Sequence, residues 1–72
     1  MKNIIYVELL NDGTRVYRPV ESRHISKDTY VIGGVDIYNP EIEEWRFLPG
    51  MKVKVVERIL NGEEILVADS LY

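Results

Sequence analysis

Residues 52–68 read KVKVVERILNGEEILVA, two alternating apolar runs that are joined by Asn61-Gly62. An Asn-Gly pair between two such runs is the strongest short-range signal of a β-hairpin, because a type I′ turn needs positive φ at both central residues. A second pair of this kind, Asp12-Gly13, separates the apolar run 4–10 from the run 15–20. The two hairpins predict a small antiparallel β domain.

Alternation of apolar residues, interrupted by turn residues, predicts five short strands. They are expected at residues 3–10, 14–23, 30–32, 51–60 and 63–69. The turn at Asp12-Gly13 sets the register of the first hairpin, with Leu9 opposite Val16, Val7 opposite Arg18 and Ile5 opposite Val20. Strand 3–10 is apolar on both faces, so we expect it to be covered on both sides or to contact a partner chain.

The middle of the chain carries turn signals. Asn39-Pro40, followed by glutamates, predicts one helical or 3₁₀ turn near residues 39–44, because Asn caps a helix and Pro suits its first position. Trp45 and Phe47 return to extended backbone, and we expect them to supply much of the core. Pro49-Gly50 predicts a type II turn, since glycine accepts positive φ after proline.

These elements predict an all-β fold, a small five-stranded antiparallel SH3-like barrel with one short helical turn near residues 39–44. An OB-fold is the alternative, although it usually has longer strands and a helix between the third and the fourth. We expect a single domain over residues 1–72, because chains divide into domains only at greater length.

Composition restricts the compartment and the partners. Nine basic and twelve acidic side chains leave a net charge of −3, which makes nucleic acid an unlikely partner by charge alone. Because the chain has no cysteine, disulfides and thiolate metal sites are excluded. The chain shows neither a signal-peptide pattern nor an apolar stretch of about 20 residues. We therefore expect a soluble cytoplasmic protein with no membrane partner.

Catalytic constellations are missing from the sequence, so we expect no enzyme. His24 is the only histidine, and Ser22 and Ser26 stand too far from it along one strand to be activated. The glutamates of residues 41–44 lack the spacing of a calcium loop, and Gly33-Gly34 is followed by neither a helix nor a lysine. No metal and no cofactor is expected.

Tyr6 and Tyr17 share one face of the first hairpin, near Arg15. Tyrosine, tryptophan and arginine dominate the energetics of protein interfaces. The expected function is therefore a non-catalytic binding module that recognises a protein partner or forms a homo-oligomer. Its candidate partner-binding residues are Tyr6, Arg15, Tyr17 and Arg18.

Arg18 has two interpretations, because the register places it among apolar residues. A buried guanidinium needs a carboxylate, so either Pro19 marks a bulge that turns Arg18 outward or a glutamate of residues 41–44 meets it. The alternative is an Arg18 that faces a ligand.

A basic stripe supports an alternative function. Lys52, Lys54 and Arg58 share one face of strand 51–60 and resemble the electrostatic track of a nucleic-acid-binding barrel. We expect Lys54 to lie opposite Asp69, which would neutralise part of that stripe. The charges at residues 57–58 interrupt the apolar alternation and predict a bulge within strand 51–60.

Two stretches, YVELLNDGTRVYRPV at residues 6–20 and EEWRFLPG at residues 43–50, resemble a group of short bacterial proteins of unknown function. In that group a Leu-x-Asp-Gly turn, an aromatic-Arg-Pro-Val run and a Glu-Trp-x-Phe-x-Pro-Gly segment recur in this order. The resemblance covers most of residues 4–68. It implies a stand-alone domain and carries no known activity.

Overall fold

The computed structural model describes residues 3–10 and 16–72, and these residues contain strands and turns but no helix. The strands are β1 (Asn3–Leu10), β2 (Val16–Ser26), β3 (Thr29–Ile32), β4 (Glu44–Trp45), β5 (Lys52–Leu60) and β6 (Glu63–Leu71). The all-β class is therefore confirmed.

Five of the strands close into a ring. β1, β2, β3, β5 and β6 pair antiparallel in that order, and β6 then pairs with β1 in parallel through Tyr6 and Val67. The parallel closure follows from the odd number of strands, because each antiparallel pairing reverses direction and the fifth strand therefore runs with the first. The prediction of an antiparallel barrel is wrong for this pair of strands, which run parallel.

The two-residue strand β4 lies on the ring as a short extra strand. It pairs antiparallel with the end of β1, where Leu9 faces Trp45 and Leu10 faces Glu44. The next amide continues the ladder, since the backbone N–H of Arg46 donates to the carbonyl of Glu8 at 2.9 Å. β1 therefore has β6 as its neighbour at Tyr6 and β4 as its neighbour beyond Glu8.

The register of the first hairpin is confirmed, with Leu9 opposite Val16, Val7 opposite Arg18 and Ile5 opposite Val20. The predicted Asp12-Gly13 turn lies outside the described residues. Alternation along β1 sends Ile5, Val7 and Leu9 inward, where all three are buried.

Both other predicted turns are also confirmed. Asn61 and Gly62 have φ of 52° and 83°, as a type I′ turn between β5 and β6 requires. Gly50 has φ of 90°, and the N–H of Met51 donates to the carbonyl of Leu48 at 3.1 Å, which closes a type II turn.

The expected helical turn near residues 39–44 is not a helix. The carbonyl of Asn39 accepts from the N–H groups of Ile42 and Glu43, both at 3.0 Å, and the Asn39 side-chain oxygen accepts from the N–H of Glu41 at 3.0 Å. The segment is thus one turn capped by Asn39, and it stops because the chain enters β4 at Glu44.

A β-bulge shifts the pairing of β5 with β6 by one residue. Lys54 lies opposite Ser70, whereas Val55 lies opposite Ala68, so Asp69 is the extra residue. Two predictions are corrected: Lys54 does not face Asp69, and the bulge is on β6 and not within residues 51–60. The charged residues at 57–58 need no bulge, because both are exposed.

One apolar cluster fills the ring, and it includes both aromatic residues that were expected in the core. Trp45 is 2% exposed and Phe47 is 6% exposed. The buried members of the cluster are Ile5, Val7, Leu9, Val20, Tyr30, Ile32, Trp45, Phe47, Val53, Val55 and Ala68.

Gly34 lies where the chain passes over the core. Its φ is +81°, and a Cβ at this position would stand 2.9 Å from Val20 Cγ1 and 3.0 Å from Trp45 Cη2. Both contacts are closer than carbon atoms normally approach, so the position excludes a side chain for steric and conformational reasons together.

We predict that Gly34→Ala lowers the free energy of unfolding by about 2–4 kcal/mol, the sum of left-handed backbone strain and overpacking. Gly62→Ala is the matched control, because its φ is +83° and nothing lies within 4 Å of the added Cβ. The control should lose only about 1 kcal/mol. Urea unfolding followed by the fluorescence of Trp45 measures both, and equal losses would contradict the steric argument.

Candidate functional site

The first-hairpin residues predicted to bind a partner do not share one face. Glu8 lies opposite Tyr17 and Tyr6 lies opposite Pro19 in the register, so Tyr6 and Tyr17 are on the outer face of the ring. Arg18 pairs with the buried Val7 and is therefore on the inner face. Arg15 lies outside the described residues.

Arg18 meets a carboxylate, as one of its two interpretations predicts. Its Nε stands 3.6 Å from Glu43 Oε1, with the Arg18 side chain 43% exposed and the Glu43 side chain 25% exposed. The same Oε1 accepts a hydrogen bond of 3.2 Å from the indole N–H of Trp45. One carboxylate oxygen thus joins β2 to the core tryptophan, and this contact explains how an arginine is accommodated on the inner face.

An apolar recess of about 350 Å³ opens on the outer face of the first hairpin. Its apolar border includes Ile4, which is 47% exposed, and Ile37, which is 44% exposed. The full border consists of Ile4, Pro19, Glu21, Gly34, Asp36 and Ile37. The segment that carries Gly34 and Ile37 runs beside β2, where the N–H of Gly33 donates to the carbonyl of Glu21 at 2.9 Å.

A smaller and more polar cleft of about 140 Å³ lies where β1 changes neighbour from β6 to β4. Arg46 Nη1 stands 3.3 Å from Glu8 Oε1 along its border. Tyr17, Arg58 and the bulged Asp69 also line it. The cleft therefore brings together Tyr17 from the predicted partner face and Arg58 from the predicted basic stripe.

The basic stripe is not continuous. Lys52 and Lys54 are exposed on β5, and the Lys52 ammonium stands 5.0 Å from the centre of the Tyr72 ring. Arg58 borders the polar cleft instead and donates a long hydrogen bond of 3.4 Å to the carbonyl of Glu57. The three basic residues thus lie in different surroundings.

His24 is exposed and serves the β2–β3 turn. Its ring stacks on Tyr30 with centroids 4.6 Å apart, and its Nε2 bonds the carbonyl of Lys27 at 2.8 Å. Within residues 3–10 and 16–72, no group of three or more His, Cys, Asp or Glu side chains is placed to hold a metal ion.

Sequence reasoning missed Asp36, Ile37, Arg46 and Asp69 as surface-forming residues. Asp36 and Ile37 sit in a segment that carries no periodic pattern, so only the fold shows that they border a recess. Arg46 follows the core Trp45 and gives no separate signal. Asp69 was assigned to an ordinary cross-strand pair, and the bulge that displaces it has no mark in the sequence.

Comparisons with protein-family models, curated proteins and solved structures found nothing that matches this chain. The part of the chain that the structure describes contains no helix with the length and apolarity needed to cross a membrane.

We predict that Glu43→Ala destabilises the protein more than Arg18→Met does. Glu43→Ala removes the acceptor of the hydrogen bond from the Trp45 indole N–H. It also removes the carboxylate beside the buried Arg18 Nε, an atom that has no hydrogen-bond partner among the described residues. We expect a loss of about 1–3 kcal/mol. Arg18→Met keeps the apolar stem and the Trp45 hydrogen bond, so its loss should stay below about 1 kcal/mol.

Urea unfolding of both variants and of the double variant measures these losses. In the double variant, removal of Arg18 should recover part of the Glu43→Ala loss. A larger loss from Arg18→Met than from Glu43→Ala would contradict this structural role for the pair.

Proposed function

We propose that this chain is a non-catalytic binding module that recognises a protein partner or a second copy of itself. Binding takes place on the outer face of the β1–β2 hairpin, here called the hairpin face: Ile4, Tyr6, Tyr17 and Pro19. The observation that carries the proposal is the apolar recess of about 350 Å³ at one end of this face, beside Ile4.

The composition of the hairpin face supports protein recognition. Two tyrosines, an isoleucine and a proline lie on adjacent strands, with Tyr6 opposite Pro19. Tyrosine supplies a large contact area with little loss of rotamer entropy, which suits an interface. The mixture of exposed Ile4 and half-buried tyrosines is also typical of an interface that must stay soluble when it is unoccupied.

An SH3-like barrel is the architecture that we propose for the ring. A ring of five strands with tight turns at residues 27–28, 49–50 and 61–62 supports it. Small barrels of this class present one outer face and a set of loops to their ligands, which is an analogy at the level of the fold. We also propose that the chain resembles the group of short bacterial proteins described above, and this resemblance implies no activity.

Nucleic-acid binding ranks below protein binding. A phosphate track needs several cations along one path, and Arg58 is displaced from Lys52 and Lys54 into the polar cleft. Glu57, Glu63 and Glu64 are exposed on the same hairpin as these lysines. Their negative charge weakens the field that would attract a phosphate backbone.

We predict that Tyr6→Ala and Tyr17→Ala each weaken association of the folded protein by about tenfold, the order of loss expected when a tyrosine that acts as an interface hot spot is truncated. Tyr72→Ala is the matched control, because Tyr72 is 70% exposed and lies outside the hairpin face. Self-association is measured by sedimentation across a concentration series, with fluorescence of Trp45 to verify folding.

Association with another protein needs a separate readout. A photo-reactive amino acid at residue 17 should give one discrete cross-linked product in cells, and the same group at residue 72 should not. Equal cross-linking at both positions, together with unchanged self-association in both tyrosine variants, would refute the hairpin face as a binding surface.

A further inference from the structure

We propose that the chain forms a two-fold dimer in which the open edge of β5 pairs antiparallel with the same edge of a second copy. The open edge consists of Glu57, Arg58, Ile59 and Leu60. It lies outside the hairpin face, so this inference does not rest on the proposed function and leaves that face free for another protein.

β5 has a neighbour on its β3 side only at its beginning. β3 pairs with residues 52–54 of β5, and the N–H of Val55 donates to the carbonyl of Asp28 at 2.8 Å. The N–H and C=O of one strand residue point to the same side, so alternate residues of β5 face β3. Beyond Val55 these residues are Glu57 and Ile59, and in the described part of the chain no strand pairs with them on that side.

The open edge lacks the features that usually keep an edge strand from pairing. Such features are a proline, a bulge or a lysine. The open edge has no proline and no lysine, and the bulge of this hairpin lies on β6 at Asp69. It exposes 73% of Ile59, a β-branched side chain that suits a paired strand. Glu57 and Arg58 are charged, so they determine which register two such edges can adopt.

One symmetric register is compatible with these side chains. A two-fold axis at Glu57 or at Arg58 would set a charged residue directly opposite its own copy, which is destabilising. An axis at Leu60 would leave the backbone of Ile59 opposite the β5–β6 turn. An axis at Ile59 sets the two isoleucines opposite each other and Arg58 opposite Leu60. In this register the N–H of each Ile59 donates to the C=O of the other.

Arg58 gains an ion pair in this register. It lies alongside Leu60 of the second copy, and the residue paired with that leucine on β6 is the exposed Glu63. An arginine side chain is long enough to cross the leucine and meet this carboxylate. Neither charge forms an ion pair among the described residues, and Arg58 gives up only a hydrogen bond of 3.4 Å to the carbonyl of Glu57.

The other charges near the edge do not oppose the contact. Glu57 lies opposite the uncharged Asn61 of the second copy, and the same uncharged turn is the part that comes nearest to the charged turn at residues 27–28. Glu64 stands beside Ile59 on β6. The two Glu64 side chains are therefore three strand spacings apart, about 14 Å, whereas physiological salt screens charges over about 8 Å.

A second copy is thus the occupant that fits the edge along its whole length. Both strands offer the same alternation of backbone donors and acceptors, isoleucine meets isoleucine, and each Arg58 meets a Glu63. Because both copies use the same edge, the assembly closes at two copies.

The wild-type chain provides the first test. Sedimentation equilibrium should show a monomer–dimer equilibrium with a Kd of about 10⁻⁴ M, which is weak because the contact is small. At this Kd the amide hydrogen of Ile59 should exchange about fourfold more slowly at about 1 mM than at about 0.01 mM protein, because the dimer alone provides it with an acceptor.

Variants locate the contact. Ile59→Lys sets two cations opposite each other at the axis and should raise the Kd by more than about tenfold. Ile42→Lys is the matched control, because Ile42 is 78% exposed and lies outside the edge. Arg58→Glu should raise the Kd by about fivefold, and the double variant Arg58→Glu with Glu63→Arg should return toward the wild-type value. Lys54→Glu makes the same charge change on the covered part of β5 and should have little effect.

A monomer at about 1 mM, exchange of the Ile59 amide that does not depend on concentration, or equal weakening by Ile59→Lys and Ile42→Lys would each overturn the dimer. Loss of self-association in Tyr6→Ala but not in Ile59→Lys would assign it to the hairpin face and overturn the β5 contact. Loss in Ile59→Lys but not in Tyr6→Ala would support the β5 contact and leave the hairpin face to another protein.

Discussion

The burial of Trp45 is the constraint on which the rest of this structure depends. The side chain is 2% exposed and belongs to a two-residue strand that is held to β1 by pairing with Leu9. Its ring meets Tyr38 edge to face with centroids 4.9 Å apart, and its indole N–H donates to Glu43. A short strand has little pairing of its own, so side-chain burial is what keeps β4 against the ring.

Around this tryptophan the chain meets two further requirements. The backbone at residue 34 has to approach the indole of Trp45 closely. Gly34 allows this approach because it has no Cβ, which would stand 3.0 Å from Trp45 Cη2. The indole N–H needs an acceptor, and Glu43 provides one while also meeting Arg18 at 3.6 Å. Arg18 therefore lies on the inner face and does not belong to the binding surface that we propose on the outer face of β2.

Local signals predicted the hairpins well and the closure of the ring poorly. A type I′ turn requires positive φ at two adjacent residues, and Asn61 and Gly62 are residue types that adopt positive φ at little cost. The Asp12-Gly13 pair predicted the register of β1 with β2, and that register is confirmed. Strand alternation favours the same register, since a slip by one residue would expose Ile5, Val7 and Leu9. The parallel contact of Tyr6 with Val67 joins residues 61 positions apart in the chain, and no local pattern encodes such a pairing.

The candidate surfaces were predicted only in part, for the same reason. Tyr6 and Tyr17 were placed on one face by alternation, which is a local property. The recess combines Ile4 of β1, Pro19 of β2 and Ile37 of a turn, so it exists only once the chain has folded. Two bulges, at Ile25 of β2 and at Asp69 of β6, are likewise invisible in the sequence, and the second displaces Asp69 from its expected position opposite Lys54.

β1 is apolar on both faces, and the structure accounts for most of that pattern without a partner. Tyr6 lies beside the buried Val67 of β6, and Glu8 is held by Arg46. Ile4 at one end and Leu10 at the other keep 47% and 38% of their surface exposed. Ile4 borders the apolar recess of about 350 Å³. An apolar side chain exposed beside an apolar cavity gains more from a partner than one exposed alone, so we expect the binding that we propose to concentrate at the Ile4 end of β1.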